Sequence, residues 1–171
     1  MSHAAPAPPL IMIREHLRDL PRLELPAGFA LRLYQPSDEA HWLRIHLAAD
    51  LLQPSTPDLF ASQFGSDPGL LADRQFYLLA PGGEVIGTAT AWFKDNFEGR
   101  RFGRIHWLAI IPEFQGRGLS KPLLSATCHR LRELGHDCAY LTTSLSRPAA
   151  IHLYRSFGFV PSTKNAMENP Q

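Results

Sequence analysis

The sequence predicts a mixed α+β chain in α/β/α layers, with a mostly antiparallel central sheet flanked by helices. Three observations carry that reading. Residues 76–80 and 84–93 are two strand-like runs joined by Pro81-Gly82-Gly83, a strong hairpin signal. A third run, residues 104–111, follows closely, which gives three strands in antiparallel succession. From residue 119 onward the pattern changes to helix, strand, helix, strand.

The bounds are those of one domain. The 171 residues suit a domain of about 150 residues with short tails. It is assigned to residues 11–162, between an Ala/Pro-rich disordered tail at 1–10 and a polar tail at 163–171. With 44% hydrophobic residues the chain buries a full core, and a net charge of +1 gives no reason to expect a nucleic-acid partner. No apolar run approaches the roughly 20 residues of a membrane span. The N-terminus lacks the basic and apolar regions of a signal peptide. Cys128 and Cys138 show no ligand spacing, so they read as reduced buried thiols of a cytoplasmic protein. His41 and His46 are five apart, which is not ligand spacing, and no metal site is expected.

Taken in order, residues 11–20 read as a short helix ended by Pro21. Residues 29–34 alternate like a half-buried strand. Ser37 is a candidate N-cap for a helix over 41–52, with Asp38 and Glu39 complementing its dipole. Prolines at 54 and 57 break that helix, and 58–64 read as another short one. After the hairpin, residues 95–103 read as an exposed polar loop. Residues 119–134 carry a helical stripe of Leu119, Leu123, Leu124, Thr127, Leu131 and Leu134. Pro122 is tolerated there because the first turn has no intrahelical acceptors for its N–H groups. Gly135 caps that helix, 138–145 is a strand, a helix runs from Ser146 to about Phe157, and Phe159-Val160 begins a last strand.

The chain is organised around residues 104–124. Ile105, Trp107, Leu108, Ile110 and Ile111 suit a strand buried on both faces, and Pro112 stops it. Gln115-Gly116-Arg117-Gly118-Leu119-Ser120 then turns tightly into a helix. Strand, glycine loop and helix N-terminus together make an anion site best suited to phosphate.

This stretch resembles the core motif Gln/Arg-x-x-Gly-x-Gly/Ala of the GCN5-related N-acetyltransferase (GNAT) superfamily. Gln115, Gly118 and Ser120 fill its defined positions, with Ser120 departing from Gly/Ala. A second block, residues 147–159, is similar to the family's C-terminal motif Asn-x-x-Ala-x-x-Leu/Phe-Tyr-x-x-x-Gly-Phe. Ala150, Leu153, Tyr154, Gly158 and Phe159 are in register, and Arg147 replaces the asparagine. The resemblance covers residues 29–160. It implies the GNAT fold, acetyl-CoA as cosubstrate, and acetyl transfer to a primary amine in a direct ternary complex.

Site roles follow from the same resemblance. The backbone of Leu108, Ala109 and Ile110 pairs with the pantetheine arm. Gln115, Gly116, Arg117, Gly118, Leu119, Ser120 and Lys121 hold the pyrophosphate. Arg147 departs from the motif and cannot reproduce the asparagine's amide contact with the pantetheine arm, though its charge and length suit a CoA phosphate. Tyr154 is the general acid for the leaving thiolate; otherwise it is a core tyrosine beside Leu153 and Phe157. An ammonium has no lone pair to attack with, so a base is needed. His106 fills that role on the central strand; otherwise it is a structural histidine. Asp95 and Glu98 are weaker candidates for the base. Thr142 stands where some relatives carry one, and threonine is no base. Residues 51–64 correspond to the segment that shapes the acceptor pocket, and a small-molecule amine is the default acceptor. Dimers are common in the family, so a homodimer is an open expectation.

Two rival readings share these features. Gly116-x-Gly118 mimics the start of a dinucleotide fingerprint, but Lys121 stands at the third glycine and antiparallel strands precede it. No P-loop sequence occurs. The other rival is a non-catalytic CoA-binding or sensor module on the same fold, to which Ser120, Thr142 and Arg147 lend support.

Overall fold

A computed structural model describes residues 7–49 and 56–164. In chain order its elements are β1 (Pro9–Arg14), β2 (Ala30–Leu33), α1 (Glu39–Ala49), α2 (Pro57–Phe64), α3 (Pro68–Arg74), β3 (Gln75–Leu79), β4 (Val85–Phe97), β5 (Arg100–Ile110), α4 (Ser120–Glu133), β6 (Ala139–Ser144), α5 (Pro148–Ser156) and β7 (Val160–Pro161). A 3-10 turn, Pro112–Phe114, links β5 to α4. The strands form one sheet in the order β2-β3-β4-β5-β6-β1-β7. Its pairings are antiparallel except between β5 and β6. The expected mixed, mostly antiparallel sheet flanked by helices is therefore the observed architecture.

Two expectations are corrected. Residues 11–20 are not a helix. Ile11, Met12 and Ile13 belong to β1, which begins at Pro9, inside the span assigned to a tail, and pairs with both β6 and β7. Met12 and Ile13 point to opposite faces and both are buried, so sheet pairing overrides the loose helical spacing. Beyond it, the Leu17 N–H donates to the Asp137 carbonyl at 2.8 Å and ties the segment down.

Residues 95–103 are not a loop. β4 runs to Phe97 and β5 starts at Arg100, with Phe97 paired to Arg100 across a two-residue turn. Glu98 and Gly99 have φ of 51° and 81°, both left-handed, as a type I′ hairpin turn requires. The polar sequence hides two anchors. Phe97 stacks on Tyr140 at 4.0 Å, and Phe102 meets both rings edge-on. Helix α3 was not anticipated. Its signal was Asp67-Pro68: the Asp67 carboxylate accepts from the N–H groups of Gly69 and Leu70, and proline occupies the first turn.

The helices divide between the two faces of the sheet. On one face, Ala91, Ile105, Leu141 and Met12 pack with Leu124, Cys128 and Leu131 of α4 and with Tyr154 of α5. On the other, Trp92, His106 and Trp107 meet Trp42 of α1 and Phe64 of α2. Burying this apolar surface is the dominant favourable term, on the order of 25 cal/mol per Å².

A second cluster braces the junction of α3, β4 and α4. Arg74 donates to the Ala91 carbonyl at 2.9 Å and lies 3.3 Å from Nε2 of His136. Arg74 and Arg101 both lie over the Phe93 ring, at 4.5 and 4.8 Å. Because arginine only donates, His136 Nε2 accepts and the imidazole is neutral. Burial first, then Arg74 and Arg101, push its pKa down to about 4. The unfolded chain takes up that proton near pH 6.5, so the stability contributed by neutral His136 is lost as pH falls from 6.5 toward 4. We predict that the midpoint of thermal unfolding drops across that window. A His136→Phe variant will show a shallower drop, measured by circular dichroism melts at matched ionic strength.

Candidate active site

The site begins where the sheet comes apart. β5 and β6 pair only at Gly103 with Ala139 and Arg104 with Tyr140. Past that point β5 continues to Ile110 on β4, and β6 continues to Ser144 on β1. The two parallel strands diverge into a cleft, and beyond Arg104 the edge of β5 that faces β6 has no strand partner. Leu108, Ala109 and Ile110, the residues expected to meet the pantetheine arm, are the last three of β5, and Ala109 pairs there with Thr88 of β4. The Ile110 carbonyl does not stay open, because Gln115 Nε2 donates to it at 2.8 Å.

A bulge shapes the same edge. Thr90 pairs with His106 and Thr88 with Ala109, so β5 carries one extra residue there. Trp107 takes up the strain at φ 52°, an unusual conformation for a bulky side chain. The bulge turns His106 and Trp107 toward α2 together. Trp107 Nε1 donates to Gln63 Oε1 at 3.1 Å, and His106 Nε2 lies 3.0 Å from the same oxygen. An indole N–H only donates, so the Gln63 atom is an acceptor and Nε2 of His106 carries its proton. Nδ1 is then the basic atom. Burial, followed by the nearby charges of Arg104 and His46, holds the His106 pKa well below its usual 6.5.

The glycine loop closes the wide end of the cleft. Gly116 and Gly118 have φ of 73° and 75°, and a Cβ on either would meet nothing within 4 Å. Backbone conformation, not crowding, demands glycine there, and the loop surface stays open to a ligand. Leu119 is buried and anchors the turn. No side chain caps α4, and the Leu123 N–H is the donor that reaches back to Leu119. The N–H groups of Ser120 and Lys121 therefore lie in the first turn of a 14-residue helix, where an anion is favoured. Arg117 donates to the Glu113 carbonyl at 3.0 Å and lies over Phe114 at 4.6 Å. Gln115 and Arg117 thus brace the loop in addition to any contact with a ligand.

Tyr154 stands on the α4/α5 side. It is buried beside Phe159 and Cys128, and its hydroxyl makes no hydrogen bond to a described residue. Burial pushes its pKa up to about 12, and the charge of Arg147 opposes that shift. Arg147 is the N-cap residue of α5, so replacing asparagine there puts a positive charge near the phenol. Tyr154 and His106 consequently lie on opposite faces of the sheet, with the cleft between them. Thr142 is exposed on β6, on the face shared by Tyr140. Asp95 pairs with Arg101 at 3.2 Å and faces away from His106, and Glu98 is in the hairpin turn. Of the segment expected to shape the acceptor pocket, 51–55 lie outside the described residues. Gln63 and Arg104 were missed, since neither stands in a motif and only the fold brings them to His106. Among the described residues, no cluster of His, Cys, Asp and Glu could hold a metal ion.

Comparison with known proteins agrees with this geometry. Residues 30–159 match the acetyltransferase (GNAT) family. The mycothiol acetyltransferase of Streptomyces coelicolor is 32% identical over 158 residues, covering 87% of this chain and 48% of that protein. Among solved structures, a GCN5-related N-acetyltransferase from Sphaerobacter thermophilus superposes with a TM-score of 0.72 at 23% identity, over 92% of this chain and 50% of that one. The NatC complex bound to Gag peptide and CoA includes a chain with a TM-score of 0.61 at 20% identity, over 77% of this chain and 84% of that one. The chain belongs to the GNAT family of acetyltransferases. It spans about half the length of the curated relatives it matches.

Gln63 is the acceptor that the His106 and Trp107 N–H groups share. Gln63→Ala leaves the Trp107 and His106 N–H groups without their acceptor, at a cost of about 1–3 kcal/mol. We expect a lower urea midpoint at unchanged slope, and Gln63→Glu, which keeps an acceptor, to recover most of it.

Proposed function

We propose that the protein moves an acetyl group from acetyl-CoA to the primary amine of a small molecule, by direct attack in a ternary complex. The observation that carries this reading is the cleft itself: a parted β5/β6 pair, a glycine loop at its mouth and a buried phenol on one wall. The loop suits the cosubstrate, since its glycines keep the surface bare and the first turn of α4 offers backbone donors. Acetyl-CoA supplies an acyl group already activated as a thioester. Family membership and a CoA-bound structural neighbour support that choice.

The remaining chemistry falls to the chain. The N–H groups of Ser120 and Lys121, with Gly116 to Gly118, hold the pyrophosphate. Arg117, Lys121 and Arg147 add positive charge around it. The open edge of β5 at Leu108 and Ala109 aligns the pantetheine arm and offers an N–H to the carbonyl oxygen. The amine nitrogen bonds to the carbonyl carbon as the carbon–sulfur bond breaks. Tyr154 gives its hydroxyl proton to the departing sulfur, and with a pKa of about 12 it is protonated at neutral pH. The attacking amine sheds its own proton. His106 takes that proton at Nδ1 and gives it up from the same atom to water, since Nε2–H stays on Gln63 and the depressed pKa keeps the ring from holding the charge. Positioning both reactants in one cleft is the larger part of the rate. A cytoplasmic location fits a CoA thioester and two unbridged cysteines.

The first test is a thermal shift with acetyl-CoA, CoA and NAD in parallel. A ligand at a hundredfold excess over Kd stabilises by about 2.7 kcal/mol. We expect shifts with both CoA species and none with NAD. Tyr154→Phe is then predicted to lower kcat by about a hundredfold, the size of a lost general acid, with acetyl-CoA affinity unchanged. Binding of CoA without turnover of any amine would favour the sensor module instead.

A further inference from the structure

Arg104 has no role in the scheme above, yet it is held in an expensive position. It sits on β5 two residues before His106 and directs its side chain to the same α1/α2 face. It is opposite Trp92 on β4 and Tyr140 on β6, at the last rung before the strands part. Its guanidinium lies over the Tyr140 ring at 5.4 Å. Nε is buried without a hydrogen-bond partner among the described residues, and no described carboxylate lies within ion-pair distance. Glu98, the nearest acid in sequence, sits in the β4–β5 turn and accepts from the Ser162 hydroxyl, while Asp95 faces the other side of the sheet and is taken by Arg101. A half-buried guanidinium with no described carboxylate beside it costs stability, and this one stands at the inner end of the cleft.

We infer that Arg104 pairs with a carboxylate on the acceptor, so that the acceptor is an amino-acid-like amine. This rests on the acetyl-transfer reading and names the substrate class for the same site. The planar fork of a guanidinium matches a carboxylate in a bidentate way that suits no neutral group as well. Trp92 and Trp107 line the face with apolar surface, which lowers the local dielectric and strengthens the pair. Arg104 also disfavours a second positive charge nearby, as its effect on His106 shows. The same field favours the neutral, nucleophilic form of the incoming amine. That offsets the weak basicity of His106.

The experiment uses the full chain and two arms. In the turnover arm, thiol release is followed with free amino acids and with the corresponding C-terminal amides, for wild type and Arg104→Met. Wild type should prefer the acids by about ten- to a hundredfold in kcat/KM, the size of a charge-assisted contact. Arg104→Met should erase the preference while leaving the acetyl-CoA shift intact. The binding arm titrates N-acetylated amino acids and their amides against the CoA complex by thermal shift. The acids should stabilise wild type and not the variant. Arg104→Met removes an unpaired charge, so its unfolding midpoint should equal or exceed that of wild type; Arg104→Gln serves as a second variant. Equal use of acids and amides, or a preference that survives in Arg104→Met, overturns the inference. Silence in the turnover arm with an Arg104-dependent acid preference in the binding arm would instead count against acetyl transfer and leave the pairing standing.

Discussion

The structure turns on a pairing that stops early. β5 and β6 share two rungs, then separate. A parallel pair that parts inside a sheet leaves a row of backbone donors and acceptors with no strand to satisfy them. The chain manages that edge in three ways. Gln115 folds back to take the Ile110 carbonyl, the bulge at Trp107 rotates part of the strand, and the rest faces the cleft, which the proposed reading gives to the cosubstrate. The glycine loop and the start of α4 complete the opening, because a chain leaving β5 there must turn at once onto the sheet.

Electrostatics then differ across the sheet. On the α4/α5 side, burial keeps Tyr154 a protonated phenol, while Cys128 beside it is pushed up to about 12 and stays an inert thiol. On the α1/α2 side, burial and positive neighbours keep His106 neutral. One wall thus holds a proton to give, and the other repels added positive charge. In the proposed reaction those are the needs of the leaving sulfur and the attacking nitrogen.

The likeness to the family is firmest where the backbone does the work. Gly116 and Gly118 are both left-handed, and Ser120, the departure from the motif, is the first residue of α4. Arg147 is a real change, since it places charge beside Tyr154 where the motif has an amide. Relatives named mycothiol acetyltransferase are about twice the length of this chain.

What the sequence determined by itself was whatever depends on near neighbours. The hairpin at Pro81-Gly82-Gly83, the strand-loop-helix of residues 104–124, the helical stripe after it and the tyrosine block all follow from local spacing and special residues. Tertiary structure decided what depends on partners distant in the chain. Residues 9–14 became a strand because β6 and β7 were there to pair with them. Phe97 and Phe102 turned an apparently polar loop into a hairpin because Tyr140 gave them a surface. Gln63 lies 43 residues before His106 and still sets its tautomer. Arg104 stands in no motif, and only the parting of the sheet beside it marks it out. Burial and the company of other charges set those roles, and neither is written in the spacing of residues along the chain.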